Sequence, residues 1–146
     1  MNQQLIDFIN TYPYLLDKTK TRKYFDNYPY LYVDYVNTIK FDNELSFIDN
    51  FAKCFPYGIP SDVEILNKIC EQFSKSYYLF IQNNDVFTSI ESIYNFSYNC
   101  LMLSNNIHNH TNTVFISLDN FVKLNLNIPV IFVKQVYDTI YSNNYF

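Results

Sequence analysis

Glycine is nearly absent, at one residue in 146. Tight hairpins need positive φ, which glycine adopts most readily, so a turn-rich β-barrel or sandwich is excluded. The same scarcity excludes a glycine-rich phosphate-binding loop, and with it a nucleotide-binding enzyme of the P-loop or Rossmann kind. Charge is scarce too, at 16% of residues, so Asn, Ser, Thr, Gln and the hydroxyls of 15 tyrosines must supply much of the polar surface. The net charge is −4 and there is no basic stripe, which argues against nucleic acid as a partner. The one basic cluster, Lys18, Lys20, Arg22 and Lys23, reads as a solvated helix end rather than a contact with acidic membrane. No apolar run approaches the roughly 18–20 residues that span a bilayer. The opening MNQQLIDF has neither the basic nor the apolar region of a secretory signal. Cysteine pairs are also missing: Cys54, Cys70 and Cys100 are odd in number and widely spaced, as expected of buried thiols in a reducing compartment. These absences predict a cytoplasmic protein without its own membrane anchor. The N-x-S/T matches at Asn95 and Asn109 are then chance.

What is present is apolar bulk. Hydrophobic residues make up 49% of a length that suits one domain, residues 1–146, with one core. Leu5, Ile6, Phe8 and Ile9 form a short helical patch ended by Tyr12-Pro13, and a second element is predicted over 21–28. Residues 30–39 read as a helix because their apolar positions do not alternate. Asp42 is a good cap for a helix 43–55 with Leu45, Ile48, Phe51 and Phe55 on one face. Pro56-Tyr57-Gly58-Ile59-Pro60 predicts a loop. Ser61, with Glu64 three residues on, predicts a capping box for a helix whose apolar set is Ile65, Leu66, Ile69, Cys70 and Phe73. After a turn at Asn83-Asn84-Asp85, Thr88 or Ser89 opens a long helix to about Leu103, burying Ile93, Phe96, Cys100, Leu101 and Leu103. A polar loop is predicted over 105–113. Ser117 then opens a helix with Phe121 and Leu124, and Pro129 opens a last one with Ile131, Val133, Val136, Tyr137 and Ile140. The fold class is all-α: a compact array of roughly seven to nine short helices with a groove between the mid-chain ones.

Three constellations invite chemistry. His108-Asn109-His110 places two imidazoles two residues apart, but no nearby Cys, Asp or third His completes a metal site, so a structural loop is the better reading. Cys70 or Cys100 with His108 could form a thiolate pair, yet both cysteines fall on apolar helix faces, where inert core thiols are the default. The third is the stretch 51–109. It reads F-A-K-C-F-P-Y-G-I-P-S-D-V-E-I-L-N-K-I-C-E-Q-F and then, from Phe87, F-T-S-I-E-S-I-Y-N-F-S-Y-N-C-L-M-L-S-N-N-I-H-N.

This stretch resembles the two motifs of the Sec7 family. In the first, a helix ends in F, a short loop ends in P-G-E, and the next helix runs through I-D and E-x-F. In the second, F-x-S-x-D-x-x-Y leads into M-L-N-x-x-L-H-N. Phe87, Ser89, Tyr94, Met102, Leu103, His108 and Asn109 fall on matching types without a gap, with Glu91 for the Asp and Ile107 for the Leu. Further on, Asp119, Phe121, Lys123 and Asn125 match the family's D-F-I-K-M-N, and the tail from Pro129 resembles its closing helix. Residues 1–20 match poorly.

The resemblance implies a guanine-nucleotide exchange factor for an Arf-family GTPase, binding its GDP-bound and nucleotide-free forms, with no cofactor or metal of its own. In such domains an acidic finger enters the phosphate site and repels Mg²⁺ and the β-phosphate, while an apolar groove holds the switch regions. By position the finger is Asp62, set by Pro60 and Ser61, and the groove residues are Tyr94, Leu101, Met102 and Asn109, with Asn67 where the family has an Asp. Tyr94 and Met102 are eight residues apart and share a helix face, although on periodicity alone such a pair is core. Three departures mark this chain. Asp62 is one methylene shorter than the family's Glu, about 1 Å of reach. Ser61 replaces a Gly, and the loop from Phe55 to Pro60 is about two residues longer, a change surface loops tolerate. The segment after Leu103 reads S-N-N for the family's N-T-D. The resemblance therefore also admits an inactive Arf-binding module, or a helical scaffold that has lost the GTPase. On the residues alone, Asp62 is a carboxylate favoured by the helix dipole.

Overall fold

The computed structural model of the chain describes residues 29–56, 58–60, 62–82, 85–108 and 114–146. Among them are six helices and no strand: α1 (Pro29–Asn37), α2 (Phe47–Ala52), α3 (Val63–Ile81), α4 (Ile90–His108), α5 (Leu118–Leu124) and α6 (Val130–Ser142). The all-helical expectation holds, with a count a little below seven to nine. The helical segments expected before residue 29 lie outside the described residues.

Two nineteen-residue helices, α3 and α4, form the axis. Residues 82–89 join them, which is short enough to make them antiparallel neighbours. Helix α1 packs on α3 and α6 on α4, while α5 and α2 both lean on α6. The 3.6-residue period explains the pairing. Ile65, Ile69, Cys70, Phe73 and Tyr77 of α3 are buried, as are Ile93, Phe96, Cys100, Leu101 and Leu103 of α4.

The core is aromatic. Phe47 lies 5.9 Å from Phe73, 5.3 Å from Phe87 and 5.4 Å from Phe96, measured between ring centroids, and thereby joins α2, α3 and α4. Tilted and edge-to-face pairs of this kind add about 0.5–1.5 kcal/mol each beyond area burial. Phe146 near the end of the chain closes over Phe51 and Phe55 at 5.4 and 5.7 Å.

Four local expectations change. Asp42 does not cap a helix: its carboxylate accepts the N–H of Glu44 at 2.9 Å, closing an Asx turn. The side chain of buried Asn50 exchanges hydrogen bonds with the backbone of Asp42 and donates to the carbonyl of Ser46. That clamp delays the helix until Ser46, whose hydroxyl accepts the N–H of Asp49, and leaves Leu45 exposed outside it. Second, the cap of α3 is Asp62 rather than the expected Ser61, which lies outside the described residues. Third, the loop expected from residue 105 begins later, because α4 continues to His108. The Asn106 side chain donates to the Val114 carbonyl and accepts the Ile116 N–H, and the His108 ring pairs with the Ile140 carbonyl, so both residues are held from outside the helix. Fourth, Leu124 and Ile131 are exposed rather than core.

Candidate functional site

The single glycine marks the start of the site. Gly58 has φ of 91°, which a side chain would oppose, and its N–H bonds the Phe55 carbonyl at 3.2 Å. Phe55 is buried at one side of this turn, and Ile59 packs on the core at the other. The loop is thus pinned from below as it approaches half-buried Pro60 and the start of α3.

Asp62 is exposed at that start. Its Oδ1 accepts the backbone N–H of Glu64 at 2.9 Å and of Ile65 at 3.4 Å, satisfying two donors that the helix leaves unpaired. A carboxylate has about four acceptor sites on two oxygens, so the cap leaves Oδ2 able to face outward. Glu64, in the same turn, lies 3.8 Å from Lys68, which offsets its charge. Asp62 has no ion pair among the described residues.

The second component is a strip on α4. Tyr94 and Tyr98 stack with ring centroids 6.5 Å apart and planes at 20°, and Met102 continues the line one turn later. Tyr98 is 37% exposed and Met102 39%, while Tyr94 is half-buried. Burial, followed by the neighbouring Cys70, Tyr98 and Glu71, pushes the Tyr94 phenol pKa up. Cys70 and Glu71 belong to α3, so the ring lies on the side of α4 toward that helix. Asn67, on α3 itself, is half-buried.

The residues expected from sequence are only partly brought together. Asp62 and Asn67 belong to α3 and its cap, and Tyr94 and Met102 to α4, which packs on it. Leu101 is 4% exposed and belongs to the core, so it offers no surface to a partner. Asn109 and Ser61 lie outside the described residues. Tyr98 was not singled out, although its place four residues after Tyr94 and four before Met102 is visible in the sequence.

Of the other two constellations, the histidine pair is described only in part. The His108 ring is taken up by the Ile140 carbonyl, and His110 lies outside the described residues. Among the described residues no group of three or more His, Cys, Asp or Glu could hold a metal. Burial raises the thiol pKa of Cys70 to about 12 and pushes Cys54 and Cys100 well up, which leaves them unreactive at neutral pH. No helix among the described residues is long and apolar enough to cross a membrane.

Comparison with known proteins agrees with this architecture. The Sec7 domain family profile matches residues 2–145. The solved structure of RalF is similar, with a TM-score of 0.70 at 17% sequence identity. The match covers 97% of this chain and 43% of that one, so this chain spans less than half its length; at such identity the likeness is one of fold. A search of curated proteins finds no match. On the extent of the profile match and the shared helical fold, the chain belongs to the Sec7 domain family.

Proposed function

We propose that this domain accelerates GDP release from an Arf-family GTPase, with Asp62 as the charge that enters the phosphate site. The observation that carries the reading is the pairing of an exposed carboxylate at the cap of α3, without an ion pair among the described residues, with an exposed aromatic–methionine strip on the neighbouring α4. GDP and Mg²⁺ are held by charge neutralisation. A carboxylate at about 4 Å from the β-phosphate opposes that binding by about 1 kcal/mol in water and about 4 at an effective dielectric near 20. The strip would hold the switch segments in the nucleotide-free arrangement, so that binding energy is spent on the released form.

One observation favours a second reading. The Asp62 carboxylate is already bound to its own helix, and the positive helix N-terminus attenuates the field it projects. A chain of this kind could grip the GTPase without expelling its nucleotide. Release of fluorescent GDP from a purified Arf-family GTPase, measured with and without the domain and alongside direct binding, separates the two. Release faster than the intrinsic rate supports exchange. Binding without faster release supports the second reading, and absence of both removes the GTPase as a partner.

A further inference from the structure

Beside the strip, α4 and the turn after α5 enclose an open pocket of about 90 Å³. Its polar lining includes Asn95 and Asn99 from α4 with Asn125 and Asn127 from the turn, over the ring of Phe96, and exposed Leu126 stands at the rim. The lining holds no charged side chain. The Asn99 amide donates to Asn125 Oδ1 at 2.9 Å, and the Asn125 amide donates to the Phe121 carbonyl at 2.8 Å. Asn125 is 6% exposed, so this relay fixes the Asn99 carboxamide from behind. The Asn99 carbonyl oxygen makes no hydrogen bond among the described residues, nor do the side chains of Asn95 and Asn127.

We propose that this pocket receives one uncharged hydrogen-bonding side chain, a carboxamide or hydroxyl, from the GTPase segment that lies on Tyr98 and Met102, and that Asn99 reads it. Three physical arguments select that class. A charged group would leave water for a lining without a counter-ion. An apolar group would strand the asparagine donors and acceptors, and sites built on hydrogen bonds reject partners that cannot make them. A single water needs about 10–15 Å³ by this kind of measure, so the space suits one side chain and no larger ligand. Position completes the case. Asn95 and Asn99 each follow a strip tyrosine by one residue, and a helix turns about 100° per residue, so the pocket adjoins the strip on its α5 side.

The inference rests on the strip being the GTPase surface, and the test separates the two claims. Affinity for a nucleotide-free Arf-family GTPase is measured for the unaltered domain, Asn99→Leu, Asn95→Ala and Tyr98→Ala, each checked for an unchanged melting temperature. Asn99→Leu keeps the volume and removes the hydrogen bonds; the expected loss is about tenfold or more. Asn95→Ala, at an exposed position with no side-chain bond to lose among the described residues, guards against misfolding of the first variant and is expected to weaken binding severalfold. Loss of affinity in Tyr98→Ala with both asparagine variants binding normally overturns the pocket and leaves the strip standing. Failure of the unaltered domain to bind removes the strip reading and the pocket with it.

Discussion

The carboxylate of Asp62 accepts the backbone N–H of Glu64 at 2.9 Å, so the residue proposed as the finger also starts the helix that carries it. The capping half of this double use favours aspartate over glutamate. The shorter side chain reaches its own N2 and N3 donors, which is why Asp ranks among the best caps. One oxygen is tied to α3, and in the proposed role the other faces the partner.

The strip makes a binding prediction. Tyr98→Ala and Met102→Ala remove side chains that are partly exposed on the strip, so each should weaken binding to an Arf-family GTPase by about 1–3 kcal/mol, roughly five- to 150-fold, with a smaller effect on stability than a core truncation. Leu101→Ala should instead lower thermal stability, by about 2–5 kcal/mol, because Leu101 is buried. Titration calorimetry beside thermal melts distinguishes them. Unimpaired binding in both surface variants would remove the strip from the account.

The packing of α4 makes a prediction about stability. Ser97 is fully buried, and its hydroxyl has no hydrogen-bond partner in the structure. An unpaired buried hydroxyl costs about 1–3 kcal/mol, and alanine is the stronger helix former. Ser97→Ala should raise the unfolding free energy in urea by about 1 kcal/mol; a less stable variant would show that the hydroxyl is satisfied.

The thiols set an alkaline limit. Burial raises Cys70 from 9.0 to about 12 and pushes Cys54 and Cys100 up as well. For each, the folded chain keeps its proton where the unfolded chain loses it, so their contribution is intact below pH 9 and declines as pH rises from there. For Cys70 the decline runs to about pH 12. The slope is about 1.4 kcal/mol per pH unit for each such group. Urea midpoints should fall above pH 9, and Cys→Ser variants should flatten the fall; a midpoint independent of pH from 8 to 11 would contradict this.

Much of this architecture was legible in the residues, and the limits have physical causes. The buried faces of α3 and α4 follow a helical period over nineteen residues each, and Ser89 and Ser117 open helices where short polar residues precede apolar ones. The cap of α3 was harder, because Ser61 and Asp62 are both good caps and the sequence does not say which backbone turns first. Residues 105–108 look like a polar loop until the Val114, Ile116 and Ile140 backbone supplies their partners. The pocket was hidden for a similar reason: Asn99 and Asn125 are 26 residues apart, and only packing makes them one lining.

The most direct measurement of the central claim is GDP release from an Arf-family GTPase with Asp62→Asn and Asp62→Glu. Asparagine keeps the cap and removes the charge; glutamate keeps the charge and weakens the cap by about 1 kcal/mol. The account predicts that Asp62→Asn folds and binds as the unaltered domain does but releases nucleotide at least tenfold more slowly, while Asp62→Glu retains exchange. Equal release rates for the unaltered domain and Asp62→Asn would contradict it.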